Sequence, residues 1–477
     1  MSSLERVWPH YSQFRQSVRR FRPSLFLPAL AAHTAGLDPM LNNGKPRHDG
    51  RWPWAASAIA RDSVLYSNEF RHGGAPSEAD FTYLYNLFNA SADLEENPTL
   101  SEIVTPLVYE QFGYGESQFE ELSRVWALFG DPSLGEPIAW EEVFGMGLAE
   151  VGRAALVLHA WVVHNRGYID FALFDAPHMQ EVLRRVAPRQ ELEALITHFT
   201  TTIEGARQLN AEATAVPKNR QRFAFNPFVT RPLIHLGGGG VWAPQSMLVS
   251  RAIFPPNLYY VGMKQWGVCF AENLGGRVEQ YVGRQLRLIA GERVRGEITY
   301  GKGDKSVDWI WVAPETVILI ECKSARMTLG AKAADESLAA LVERSLGKAR
   351  RQIDRTAELI RNRHPSFADI PPDRPIVGVI ATAEPFYLGN AHLLTEFGEP
   401  GDTPSLVMSL RELERFVCFE EDEATDMLLQ VLSDPEKRTW SLASVMSKLR
   451  DPGKNKILER AWEHYQFVDP LSDPGLQ

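Results

Sequence analysis

Cysteine is scarce, with only Cys269, Cys322 and Cys418 in a chain of 477 residues. The three stand far apart and form no CxxC pair, which excludes a disulfide scaffold and a cysteine-rich zinc site and fits a reducing compartment. The histidines show no HExxH spacing, so His159, His164, His178 and His198 read as packed or surface residues rather than metal ligands. There is no GxSxG elbow and no GxxxxGK[ST] loop, and neither esterase nor P-loop chemistry is indicated. The longest apolar stretch, near Ala154 to Val163, is broken by His159 and is too short to cross a bilayer. The opening MSSLERVWPHYSQFRQSVRR lacks the apolar core of a signal peptide, so the expected location is the cytoplasm, with no membrane partner. Positive charge is not in excess either. A net charge of −10 argues against a protein that coats nucleic acid over its whole surface, and leaves room for a local basic groove.

What is present is the composition of an ordinary globular chain, 44% apolar and 23% charged, at a length that predicts two or three domains. Residues 1–225 read as a mostly α-helical domain for recognition or for docking a protein partner or a second copy. Helical spacing runs through Ser77 to Asn89, through the segment after Ser117, and through Trp140 to His164 and Gln190 to Ala213. The arginines Arg15, Arg19, Arg20 and Arg22 fit either phosphate contacts or a solvated helix face. Around the glycines Gly237 to Gly240, residues 226–264 read as a hairpin or a flexible connection, and the domain boundary is placed there. Residues 265–420 read as an α/β unit, and 421–477 as short C-terminal helices with a frayed tail.

The most informative stretch is KSVDWIWVAPETVILIECKSAR, from Lys305 to Arg326. It predicts two strands, Ser306 to Val312 and Thr316 to Lys323, with Pro314 at the break. Side chains alternate faces along a strand, so Glu321 and Lys323 share one face while Ile320 and Cys322 point the other way. Asp308 lies on the preceding strand. Two such acids can hold a hard divalent cation through oxygen, and Lys323 can neutralise charge beside it.

Asp308 followed by Glu321-Cys322-Lys323 across a hairpin resembles the D…(D/E)xK signature of the PD-(D/E)xK nuclease superfamily, over roughly residues 265 to 420. Val307 stands where the superfamily's name has proline. The resemblance implies a restriction-endonuclease-like fold, a mixed sheet flanked by helices, and a Mg²⁺-dependent endonuclease, with Mn²⁺ able to substitute. It further implies an acid from the helix before the hairpin, for which Glu279 is the best match and Glu272 the fallback. A helical glutamine near the metal, matched by Gln352, is implied as well. In this scheme Asp308, Glu321, Glu279 and the carbonyl of Cys322 would hold the metal. Lys323 would orient the attacking water or stabilise the pentavalent charge. The long helix or helix pair from Ala333 to Arg363 carries Lys348, Arg350, Arg351 and Arg355. These fit phosphate contacts, or equally a surface helix laced with Glu343, Asp354 and Glu358 pairs. The expected activity is cleavage of nucleic acid, DNA before RNA, in restriction, phage defence or repair. A subunit that binds nucleic acid or assembles without cutting is the alternative.

Overall fold

The computed structural model describes residues 10–42, 49–91, 99–115, 117–177, 179–180, 183, 186–324, 326–391 and 401–465; His178 and the tail beyond 465 lie outside them. No helix among these residues is long and apolar enough to cross a membrane.

The first half is helical, as the periodicity predicts. Helices Tyr11–Val18, Pro23–Leu37, Pro53–Tyr66 and Glu78–Ala90 bury Phe14, Leu27, Ile59 and Phe88 in a core of their own. Ser77 caps the last of them, and the Asp80 carboxylate accepts the Ser77 N–H in return, at 2.8 Å. The helix expected over 190–213 is interrupted. Helices Arg189–Phe199 and Ile203–Glu212 flank a strand at Thr200–Thr201, because three consecutive threonines are stiff at χ1 and Thr202 is a better N-cap than interior residue.

Strands β1 (Tyr168–Asp170), β2 (Thr200–Thr201), β3 (Leu233–Ile234) and β4 (Gly240–Trp242) make a small sheet in the order β1–β4–β3–β2. β3 and β4 are the hairpin expected at the glycine run, and Gly237 and Gly238 take φ +95° and +88° in its turn. The hairpin leads into helices Met247–Arg251 and Pro255–Ala290, the second broken at Gly267 (φ +59°); Val249 of the first helix, and Ile253 and Phe254 between the two, are buried. These residues belong to one core that joins Leu122 of the helical half to Ile320 of the sheet and to Tyr465. Apolar packing is therefore continuous across the boundary expected at 226–264.

Strands β5 (Val294–Gly296), β6 (Thr299–Tyr300), β7 (Asp304–Lys305), β8 (Trp309–Val312), β9 (Val317–Lys323), β10 (Ile376–Thr382) and β11 (Ser405–Ser409) follow. Five of them form a mixed sheet in the order β11–β10–β9–β8–β5, while β6 and β7 pair separately. β9, β10 and β11 are parallel, and β8 and β5 run antiparallel on the far side of β9. β5 is not marked by sequence pattern, since Val294 is its one apolar residue and pairing to β8 alone holds it extended.

β9 is apolar on both faces because both are covered. Ile318 and Ile320, with Trp309 and Trp311, pack with Val278, Val282 and Leu286 of helix Pro255–Ala290. Val317 and Leu319, with Ile310, pack with Ala349, Ile353, Ala357 and Ile360 of helix Lys348–Arg361. The pair of helices expected over 333–363 is thus Ser337–Val342 and Lys348–Arg361, joined through a wider turn at Glu343–Gly347. The final helix, Lys456–Trp462, is followed by a fully buried Tyr465, whose hydroxyl donates to the Leu122 carbonyl. The tail expected to fray after these helices lies outside the described residues.

Candidate active site

In the β8–β9 hairpin Trp309 pairs with Ile320, so Asp308 and Glu321 occupy the next rung on neighbouring strands. Two contacts from helix Lys348–Arg361 hold the chain entering β8. The Gln352 amide donates to the Ser306 carbonyl at 3.0 Å, and the Val307 N–H donates to Thr356 Oγ1 at 3.2 Å. On the opposite face the Trp309 indole N–H donates to the Glu279 carbonyl at 2.9 Å, fixing helix Pro255–Ala290 against β8. Asp308 is thereby positioned from both sides. Its Oδ2 accepts the Cys322 N–H at 2.7 Å, and the Cys322 thiol also bonds the Asp308 carboxyl, so Cys322 meets this centre through both its N–H and its side chain.

Glu321 is 3% exposed. Its Oε1 accepts the Lys323 ammonium at 2.5 Å, and its Oε2 is buried with no hydrogen-bond partner among the described residues. The two side chains share a face, as the strand alternation predicts. Burial pushes the Glu321 carboxyl up from 4.5, and the neighbouring Asp308 charge adds to this against the pull of Lys323, to about 7. Asp308 is likewise raised by burial, against the opposing effect of the Cys322 N–H and Lys323. Glu279, half-buried, is raised by burial and by the Asp308 charge. One ammonium thus faces two crowded carboxyls with a third nearby. A proton or a cation relieves that crowding, and an unpartnered buried oxygen is the natural place for it.

The structure brings Asp308, Glu321, Lys323 and Glu279 into one electrostatic neighbourhood. Gln352 stands one step back, on the backbone that carries Asp308. The basic residues divide. Arg351 pairs with Glu343 at 2.6 Å and Arg355 with Asp304 at 3.0 Å, both at the surface. Lys348 is exposed, and burial lowers Arg350 against the attraction of Glu343. Both readings of this helix therefore have members, with two arginines already spent on acids.

Sequence reasoning passed over a second charged cluster beyond the carboxyl end of β9. Lys332 meets Glu384 at 2.6 Å, and Glu384 also accepts the Met327 N–H at 3.1 Å. Arg326 lies over the Tyr259 ring at 4.9 Å, with all three guanidinium nitrogens buried and without hydrogen-bond partners among the described residues. One signal for it was available, because Glu384 sits two residues past a parallel strand and the carboxyl ends of such strands are where ligands gather. No family model matches the chain, and no curated protein and no solved structure matches it.

Proposed function

We propose that the chain is a metal-dependent nuclease that hydrolyses phosphodiester bonds, DNA before RNA, with Asp308, Glu321 and Lys323 at its centre. The observation that carries this reading is Glu321, a buried carboxyl held at about 7 beside a second raised carboxyl, with one oxygen unpartnered. Two oxygen donors of this kind suit Mg²⁺, which needs few protein ligands because it keeps several waters. Asp308 and Glu321 would hold it, with Glu279 close by. When bound, the ion would polarise a phosphoryl oxygen and acidify a water. Lys323 keeps a positive charge on the Glu321 face, where it would meet the charge that builds on phosphorus. Gln352 and Thr356 hold the backbone of Asp308 in register with β9. The succession of helix, antiparallel hairpin, helix, parallel strand and helix also supports the PD-(D/E)xK resemblance and a restriction-endonuclease-like core.

A second reading, a nucleic-acid-binding or assembly subunit that does not cut, is favoured by one observation. Among the described residues no three His, Cys, Asp or Glu side chains are placed to hold a metal ion together. Cleavage of supercoiled plasmid, linear duplex and single-stranded DNA with Mg²⁺ or Mn²⁺ separates the two. The nuclease reading expects metal-dependent cutting that is lost in Asp308→Asn and strongly slowed in Lys323→Ala. Absence of cutting on every substrate, with no metal uptake by calorimetry, rejects it.

A further inference from the structure

The carboxyl ends of β9, β10 and β11 share one edge of the sheet, and the acid pair occupies only the β9 end. Thr382 pairs with Lys323 on one side and with Ser409 on the other, so Ser409 lies two strand spacings, about 10 Å, from Lys323. At Ser409 a cleft of about 1190 Å³ opens between helix Leu410–Phe416, the segment after β10 and residues of the helical half. Small-molecule sites usually measure about 300–1,000 Å³, so this cleft has room for a segment of polymer.

A row of rings and cations links the end of β9 to the cleft. The Tyr260 hydroxyl donates to the carbonyl of Met327, just beyond β9, at 3.0 Å, and the residue as a whole is 41% exposed. The Lys332 ammonium lies 5.9 Å from the Tyr260 ring and 5.8 Å from that of Tyr109. Lys332 spends one of its three donors on Glu384. Tyr109 packs 5.3 Å from Tyr387, and Tyr387 5.2 Å from Phe112, which is 54% exposed at the cleft. The cleft itself is not strongly cationic. Glu412 is spent on capping Ser409, Glu414 on Arg124, and Arg411 on Glu121, which leaves exposed Arg415 facing Glu120 and exposed Lys454 3.8 Å from Glu459. Duplex phosphates find little to hold in such a balance. Unpaired bases find ring faces, and aromatic rings interleaved with cations are the way single strands are held without regard to sequence.

We propose that single-stranded nucleic acid lies along this row, with bases on Tyr260 and Phe112 and phosphates beside Lys332 and Arg415, and so reaches the acid pair. The proposal builds on the nuclease reading and names the substrate class of that same site. Its test is fluorescence anisotropy of the full chain in EDTA, so that nothing is cut, with labelled oligothymidylate, oligouridylate and a duplex of matching length. The expected result is single-strand binding at least about tenfold tighter than duplex binding, with a shallow salt dependence. Phe112→Ala and Tyr260→Ala should each weaken it about tenfold, and Phe112→Trp should restore it. The thymidylate and uridylate arms identify DNA or RNA as the occupant. Equal or tighter duplex binding, no binding of either strand type, or affinity unchanged in both alanine variants overturns the proposal. Because no metal is present, the outcome is independent of catalysis. Single-strand binding with neither cleavage nor metal uptake would reject the nuclease and leave the row standing, and duplex cutting without single-strand binding would do the reverse.

Discussion

At the scale of single residues, Glu321 makes a prediction about pH. Its folded value of about 7 lies above the ordinary 4.5, so between these values the folded chain keeps a proton that the unfolded chain has released. Stability linked to this group is complete below about pH 4.5 and is lost as pH rises through 7. Glu321→Gln should therefore gain on the parent protein between about pH 5 and pH 8, by on the order of 1–3 kcal/mol. Thermal melts across that range check it, and parallel curves for the two proteins would refute it. Arg326 makes the opposite kind of prediction. A buried guanidinium with no hydrogen bond is costly, and an apolar residue of similar length removes that cost. Arg326→Met should raise the melting temperature, by about 1 kcal/mol in stability, because Glu384 keeps Lys332 as its partner. A large loss in that variant would mean that the guanidinium is engaged after all. The two residues also differ in legibility. Glu321 could be read from sequence because strand alternation fixes its face and its neighbour Lys323. The burial of Arg326 could not, since it depends on Tyr259 and Glu384, which come from elsewhere in the chain.

At the scale of elements, the hairpin, the two helices that cover it and β10 were legible, because apolar period 2 or 3.6 survives burial on one or both faces. β5 and the Thr200–Thr201 strand were not, being short segments made extended by their partners. Gly283 was equally silent. In a helix it reads as a weak position, yet a Cβ there would come within 2.2 Å of the Trp309 ring. The glycine lets helix Pro255–Ala290 close on β8, next to Asp308. Gly283→Ala should cost about 1–3 kcal/mol, since a buried indole between a helix and a sheet has no room to yield. In the nuclease reading it should also slow cleavage, by tilting Trp309 and with it Asp308. A melt and a cleavage assay on one preparation test both, and an unchanged melting temperature would show that the ring can move aside.

At the scale of the whole molecule, the question is what ties the helical half to the sheet. Apolar contact is continuous between them, and at its centre lies a buried ion network. Arg124, on helix Gln118–Val125, donates to both oxygens of Glu414 at 2.8 and 3.0 Å and also to Glu121. Arg411 reaches Glu121 at 2.8 Å, and the Tyr281 hydroxyl donates to Glu414 at 2.7 Å. Burial alone would push Glu121 up, but Arg411 and Arg124 outweigh it and hold the carboxyl at about 2. Helices from three distant parts of the sequence therefore meet through charges that have no water to fall back on. Removing the central cation takes the charge partner of buried Glu414, while Glu121 keeps Arg411, so Arg124→Ala should cost about 3–5 kcal/mol. Replacing Arg124 and Glu414 together, as Arg124→Met with Glu414→Gln, should recover much of that, because Glu121 keeps Arg411 as its partner. If the network joins one cooperative body, the loss in Arg124→Ala lowers a single calorimetric transition. If the halves are independent, the transition splits and the sheet's own melt stays where it was, since Arg124 and Glu121 belong to the helical half and Glu414, Arg411 and Tyr281 to the other.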